Sequence, residues 1–329
     1  MTVTLALSLS WVGCNKSGKL NETSKFKTPS GPVELKLKWL QGECVVMNMD
    51  TKMDMETSMP GQPAPIKMNM TMGQKYGLTV LKETLGDGHE VEMEFLSARM
   101  EMEMGGKTML SFDSAKKTSA DKAKPVADMF GKIVGAKIQY FLNVSNDVER
   151  IEGVDELVDR LSSGGQADAL APLKGTMFSK DHFKQIMSAN RFMPPKAVQP
   201  DDTWPIKQSF EMGALGTMVT DFTCSFQKWE QIGKRNCARI EFRGTLKSTP
   251  GADANPTGMS MSILDGNASG VSWFDPELGI TIDTTMNQDL TMAITLPANA
   301  RANPAAAGHT QTMTNIMHQV ITIKLESVK

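Results

Sequence analysis

The stretch from Ile66 to Met109 constrains the fold of this 329-residue chain most strongly, because apolar and polar residues alternate along nearly all of it. A period of two residues places successive side chains on opposite faces of a β-strand, so the pattern indicates strands with one apolar and one charged face. Gly86-Asp87-Gly88 suits a tight reversal, because glycine accepts positive φ angles. We therefore predict three strands of one antiparallel sheet.

The apolar phase of this stretch slips by one residue at Phe95-Leu96. Apolar residues occupy odd positions up to Phe95 and even positions from Leu96 onward. Such a slip would turn half of the apolar set away from the core unless a β-bulge absorbs it. We predict a bulge with both side chains pointing inward, and a strand that bends over a helix at residues 126–134.

Elsewhere, strand patterns surround a short helical region. Leu35, Leu37 and Trp39 alternate in a first strand, and a second strand begins at Val45. Helical spacing indicates helices at 126–134 and 155–161 and one after Ser179. Further strands are predicted at 206–213, 217–230, 237–247, 257–264, 269–274, 279–286, 289–296 and 313–327. The fold class is therefore α+β, mostly antiparallel β, with curved sheets or a half-barrel and a few helices between two β-meander halves.

An internal similarity links the two halves. Residues 80–95 and 226–242 both read as a strand, a glycine-containing turn and a strand that ends in an acidic residue and Phe. A duplicated β-meander and independent sheet constraints both explain this similarity, and the sequence does not decide between them.

The N-terminus indicates a bacterial lipoprotein. Thr2 to Gly13 is a short apolar run that ends in Trp11-Val12-Gly13-Cys14, which looks like the site where a signal peptide is cut and the cysteine acylated. We predict a signal peptide at 1–13, a lipidated Cys14 with a flexible tether at 14–32, an N-terminal β-meander with helices at 33–190 and a C-terminal β-meander at 191–329. An uncleaved apolar N-terminus with a chance cysteine is the alternative.

Methionine is unusually frequent, with 26 Met against 6% aromatic residues. Met fills irregular cores and adapts to varied apolar shapes, so the Met stripes are predicted to line a concave sheet. The candidate ligand-facing residues are Met47, Met49, Met68, Met70, Met93 and Met102. Thioether ligands for copper are an alternative, but the four His residues show no ligand spacing. No cofactor or metal site is therefore predicted.

The other cysteines and acidic residues carry little chemistry. If Cys14 is acylated, Cys44, Cys224 and Cys237 can form at most one disulfide, and buried free thiols are the favoured interpretation. The Glu residues of 90–103 are expected on a solvated strand face. No nucleophile elbow, metalloprotease helix or phosphate loop is present in the sequence, so no enzyme is predicted. A net charge of −2 disfavours nucleic acid as a partner.

Several short segments resemble an uncharacterised, domain-of-unknown-function family of bacterial envelope lipoproteins. They are Leu35-Lys36-Leu37-Lys38-Trp39 with Gly42, 134–138, 148–153, Pro194 to Trp204, and Phe274-Asp275 with Gly279. The resemblance covers nearly the whole chain after the tether and implies no activity. More loosely, the layout resembles half-barrel carriers of lipoproteins and lipids.

Together these observations predict a non-enzymatic, extracytoplasmic envelope lipoprotein anchored to a membrane through its N-terminal lipid. Its concave sheet would bind an apolar or lipidic ligand or an envelope protein. A structural module with a solid core and a copper-handling protein are the alternatives.

Overall fold

A computed structural model describes residues 19–84, 88–116, 118–119, 131–162, 179–180, 183–184, 187, 192–211, 216–249, 260–296 and 311–329. Strands make up 67% of these residues. The helical parts are α1 (Val154–Ser162), a 3-10 turn at Lys19–Asn21 and short helical pieces at 131–133 and after Ser179. The predicted α+β class therefore overstated the helical share, and the described part of the chain is mainly β.

The strands form one curved, unclosed sheet. They are β1 (Cys44–Ser58), β2 (Ile66–Thr84), β3 (Gly88–Met104), β4 (Lys107–Asp113), β5 (Thr118–Ser119), β6 (Lys137–Leu142), β7 (Val148–Glu152), β8 (Thr203–Glu211), β9 (Thr217–Ile232), β10 (Arg235–Thr249), β11 (Ser260–Asp275), β12 (Ile280–Leu296) and β13 (Gln311–Val328). The order is β5-β4-β3-β2-β1-β13-β12-β11-β10-β9-β8, and β6 and β7 extend from β3. Every strand pair is antiparallel, so the chain is a long meander whose first and last long strands meet in the middle.

The alternating stretch from Ile66 to Met109 forms β2, β3 and the start of β4, which confirms the prediction of antiparallel strands of one sheet. Gly73 does not interrupt β2, because it lies between Asp50 of β1 and Arg99 of β3 in the strand register. A Cβ at Gly73 would lie 2.3 Å from Arg99 Nε, so the missing side chain makes room for the Arg99–Asp50 ion pair. Of the predicted turn Gly86-Asp87-Gly88, Gly86 and Asp87 lie outside the described residues.

The predicted bulge is present in β3. Lys75 pairs with Ser97 and Tyr76 with Phe95, which leaves Leu96 as the extra residue. β3 also changes its second partner here, from β6 before the bulge to β4 after it. Phe95 is buried, but Leu96 is 37% exposed. The prediction that both point inward is therefore wrong for Leu96, because the unpaired residue turns outward and resets the alternation.

Two other strand predictions differ from the structure. Residues 33–40 pair only at isolated points, through Val33 with Val198 and Lys38 N with Gly279 O, so the predicted first strand is an extended segment. Leu35 and Trp39 are buried nevertheless. In the second half, two pairs of predicted strands merge into the continuous β11 and β12. In β11 a bulge near Leu264 absorbs the break in alternation.

The helical predictions are confirmed where the structure describes them. α1 matches the helix predicted at 155–161 and buries Val154, Leu157 and Leu161. Residues 131–133 are helical and Gly135 follows with a φ of 77°, whereas 120–130 lie outside the described residues. Phe183 is buried beside Phe95, with ring centroids 6.3 Å apart, so the helix after Ser179 packs on the sheet.

The core consists of two clusters on one face of the sheet, which we call the inner face. The first cluster packs α1, Ile133 and Phe183 against β1, β2, β3 and β6. The second packs Leu35 and Val198 against β8 to β12, and Phe192 stacks on Phe242 above it. The opposite, outer face carries most of the charged side chains. One face of a single sheet therefore holds both core clusters.

The cysteines differ from one another. Cys224 and Cys237 are buried free thiols, as predicted. Burial raises the pKa of each thiol to about 12, so neither is a reactive thiolate at neutral pH. Cys44 is also buried but is disulfide-bonded, so the prediction of a free thiol is wrong there.

The segment before β1 is held against the second half of the sheet. Ser24 N donates to Lys234 O at 2.9 Å, and the Phe26 ring lies 5.2 Å from that of Trp229. Glu277 accepts hydrogen bonds from Ser24 Oγ and from the Lys25 and Phe26 N–H groups. The stretch predicted as a tether therefore contacts the sheet over its last residues.

Candidate functional site

Six methionines line the centre of the inner face. Met53, Met70 and Met102 are direct partners on β1, β2 and β3, and Met72 and Met100 form the neighbouring register pair. Met286 of β12 lies on the same face beyond β13, where its register partner is Ile321. We call Met53, Met70, Met72, Met100, Met102 and Met286 the methionine face. The antiparallel register brings these residues together although they span more than 230 positions of sequence.

The methionine face is half-buried throughout. Two glutamines lie among its side chains, and their amide groups donate only to sulfur atoms, from Gln74 to Met72 at 3.9 Å and from Gln288 to Met286 at 3.6 Å. Thioether sulfur is a weak acceptor, so these amides remain available for stronger partners. The surface is apolar and deformable, with a few hydrogen-bonding groups.

The structure separates the six predicted ligand-facing residues into two groups. Met47 and Met93 lie inside the first core cluster, with 6% and 1% of their surface exposed. Met49, Met68, Met70 and Met102 are half-buried on the inner face. The first two therefore pack the core, and only the latter four lie where a ligand could contact them.

Sequence reasoning missed a set of buried polar atoms on the inner face. Thr220 Oγ1, Gln208 Nε2 and Asn315 Oδ1 are buried and have no hydrogen-bond partner among the residues that the structure describes. Thr220 and Asn315 are only 4% and 5% exposed as whole residues. The signal in the sequence was a polar residue at an apolar position of the alternation. Catalytic and metal-binding motifs do not contain such a signal.

The acidic residues of β3 are mainly structural. Lys137 pairs with Glu92 at 2.7 Å and Glu94 at 3.8 Å across the β3–β6 pair, so the predicted solvated face is also an ion-paired one. Glu90 differs from the prediction, because it is buried and pairs with Lys82 at 2.8 Å. These carboxylates balance neighbouring lysines, and Glu92 lines a shallow cavity together with Glu152, Glu156 and its partner Lys137.

Neither metal ligands nor a membrane-spanning helix is found in the part of the chain that the structure describes. No group of three or more His, Cys, Asp or Glu side chains in these ranges could hold a metal ion. His318 instead pairs with Asp289 at 2.7 Å on the outer face. None of the helices in these ranges is both long and apolar enough to cross a bilayer.

The chain belongs to a family of unknown function, DUF6263, whose model matches residues 87–281. No curated protein matches its sequence. The family assignment therefore supplies no activity.

The chain is distantly similar to several solved structures. Lipovitellin, studied for its lipid–protein interactions, shares 9% identity at a TM-score of 0.45 over 89% of this chain, which spans only 26% of lipovitellin. A candidate lipoprotein from Parabacteroides distasonis shares 10% identity at a TM-score of 0.27 over 91% of this chain and all of its own. A candidate exported protein with a YmcC-like fold from Bacteroides fragilis shares 9% identity at a TM-score of 0.24, over 90% and 100% of the two chains. None of these scores is high enough to transfer a function.

Proposed function

We propose that this protein is a non-enzymatic envelope lipoprotein, located outside the cytoplasm, that binds the acyl chain of a lipidic ligand against the methionine face. The observation that carries this proposal is the half-buried register of Met53, Met70 and Met102 on three adjacent strands. Three long, flexible thioether side chains side by side form an apolar surface that can adapt to a flexible chain.

The energetics favour an apolar ligand on this surface. Each methylene group that a ligand transfers from water to an apolar site contributes about 0.8 kcal/mol, so a chain covering several methionines gains several kcal/mol. The Met side chains lose little free energy when they rearrange around a ligand, because they are unbranched and flexible. By the strand register, no Asp, Glu, Lys or Arg lies among the inner-face residues of β1, β2 and β13 that surround the methionine face.

Substitution of one methionine by a polar residue of similar length tests the binding proposal. Met70→Gln places an amide where the ligand chain would lie, and an unpaired amide facing hydrocarbon costs about 1–3 kcal/mol. We expect titration with the neutral apolar dye N-phenyl-1-naphthylamine to show saturable binding, weakened roughly tenfold by this variant. Thr71→Gln, on the opposite face of the same strand, is the matched control and should bind as the unaltered protein does.

Three results would contradict the binding proposal. Absence of saturable dye binding would leave the structural module, in which the sheet acts through its surface. Equal loss of binding in Met70→Gln and Thr71→Gln would show that the dye does not contact the methionine face. Stoichiometric binding of Cu(I) that Met70→Leu abolishes would favour the copper-handling alternative instead.

The membrane anchor is a separate part of the proposal, and it rests on the sequence around Cys14. Acylation uses the Cys14 sulfur, so a disulfide involving Cys14 and a lipid on Cys14 exclude each other. We expect the protein, expressed in a bacterium with its own leader, to incorporate labelled palmitate and to partition into the membrane fraction. Cys14→Ser should remove both properties. A labelled Cys44→Ser variant is the control, and Cys14 found in a disulfide by peptide mapping would contradict the anchor.

A further inference from the structure

Two unpartnered polar side chains face each other on the inner face near the β8 edge of the sheet. Gln208 of β8 and Thr220 of β9 are direct register partners. Gln208 Nε2 and Thr220 Oγ1 are both buried without a hydrogen-bond partner in the described part of the chain. Buried polar groups are nearly always paired, because an unpaired one loses its hydrogen bonds to water and gains none in return. Two such groups side by side therefore indicate a missing partner.

The surroundings of this pair are apolar. Ile206 and Phe222, which lie two residues from Gln208 and Thr220 on the same face, belong to the second core cluster, as does Leu246 opposite Thr220. Met218, two residues before Thr220, is partly buried and packs against the same cluster. A flexible methionine is a side chain that can turn aside to admit a ligand.

The chemistry of the pair selects its partner. An amide N–H and a hydroxyl can both donate, so an oxygen with two lone pairs satisfies them together. By the strand register, no Lys or Arg lies on the inner face of β8 and β9, so a carboxylate or phosphate there would lack a counter-charge. Burying an uncompensated anion is far more costly than burying a neutral carbonyl. The fitting group is thus a neutral ester or amide carbonyl.

We propose that Gln208 and Thr220 form the head-group site for a neutral acyl ester or amide whose hydrocarbon chain extends along the inner face to the methionine face. This inference rests on the proposed function and adds the ligand class and its orientation. From β9 to β12 the sheet crosses three strand spacings, about 14 Å, and Met286 lies four residues along β12 from Leu290, the residue level with Thr220. The two displacements combine to roughly 20 Å, which a long acyl chain covers. Asn315 is four strands from Thr220 and does not belong to this pair.

The test uses two probes that differ only in their polar end. A pyrene-labelled monoacylglycerol and the pyrene-labelled fatty acid of the same chain are titrated into the full-length protein at pH 8.5, where the free acid is ionised. We expect the ester to bind at least about tenfold more tightly, because only the acid introduces an uncompensated negative charge.

The variants separate the head-group site from the chain site. Thr220→Val keeps the side-chain shape and removes the hydroxyl, so it should weaken ester binding about fivefold, the loss of one neutral hydrogen bond. Its thermal midpoint without ligand should be unchanged or raised, because the variant deletes an unpaired buried group. Thr223→Val, the same change on the exposed side of β9, should alter neither quantity.

The outcomes distinguish the two proposals. Failure of the unaltered protein to bind either probe overturns the proposed function and this inference with it. Tight ester binding that Thr220→Val leaves unchanged overturns only the head-group site. Fatty-acid binding as tight as ester binding shows that the head group is not selected for neutrality and also overturns the inference.

Discussion

The buried ion pair between Arg235 and Asp275 provides the sharpest test of how the second half of the sheet is held together. Their side chains are 3% and 0% exposed, and Arg235 Nε donates to Asp275 Oδ2 at 2.5 Å. Asp275 Oδ1 accepts from the N–H groups of Glu277 and Leu278 at 2.8 and 3.0 Å. Arg235 also contacts the partly exposed Glu277 at 3.1 Å. The pair therefore joins β10, the end of β11 and the turn after it.

Removal of both charges should destabilise the fold less than the two single removals added together. Asp275→Asn keeps an acceptor oxygen for the two N–H groups but leaves Arg235 with the partly exposed Glu277 as its carboxylate partner in the described part of the chain. Breaking a buried pair costs about 3–5 kcal/mol. Arg235→Met leaves the buried Asp275 unpaired at a similar cost. The double variant should be less destabilised than the sum of the two by about 2–3 kcal/mol, because neither uncompensated charge remains.

Urea unfolding followed by tryptophan fluorescence measures these free energies. The exposed pair Lys36–Glu34, at 2.9 Å and with side chains 70% and 62% exposed, is the control, and Lys36→Met should change stability by at most about 1 kcal/mol. The reasoning is refuted if Asp275→Asn is no more destabilising than the control, or if the two single effects simply add.

Three further predictions follow from neighbouring features. Hydrogen bonds from Ser24 and the Lys25 N–H, and then the charge of Arg235, lower the pKa of Glu277. Its docking of the N-terminal segment is therefore present above the ordinary carboxyl pKa and lost as pH falls through the lowered one. Limited proteolysis should cut this segment faster at low pH, and Glu277→Gln should remove the pH dependence. Burial raises the pKa of Asp283, so its ionisation lowers the stability of the fold as pH rises. Asp283→Asn should therefore raise the thermal midpoint at pH 7 but leave it unchanged at a pH below the ordinary carboxyl pKa. Deletion of Leu96 removes the bulge and leaves strict alternation, so the variant should keep its β circular dichroism but bind N-phenyl-1-naphthylamine more weakly because the sheet flattens.

The long alternations made much of the sheet predictable, since period two fixes both the strand and its buried face. The bulge at Leu96 was predictable for the same reason, but the side-chain direction of Leu96 was not, because it depends on the change of partner from β6 to β4. For residues 33–40 the burial was predicted correctly but the strand was not. Their alternation is real and buries Leu35 and Trp39, yet continuous pairing needs a neighbouring strand edge that the pattern does not encode.

The candidate site was only partly predictable, because it depends on strand order. Met70 and Met102 belong to one hairpin, so their proximity follows from local sequence. Met286 joins them only because β13 lies between β12 and β1, which no local pattern reveals. Gln208 and Thr220 were missed for a related reason. A single polar residue on an apolar face is informative only when its partner across the strand pair is also known.

The meeting of β1 and β13 explains how such a site can depend on the whole chain. Cys44 and Lys329 exchange two backbone hydrogen bonds, of 3.0 and 2.9 Å, at the end of this strand pair, which brings residues near the two ends of the described chain together. Met53 of β1 and Met286 of β12 flank β13, so the methionine face is complete only after the last strand has inserted. Pairing over so large a sequence separation is slow, because the loop entropy is lost before the contacts form. A ligand that binds across this joint would therefore stabilise the step that unites the two halves of the sheet.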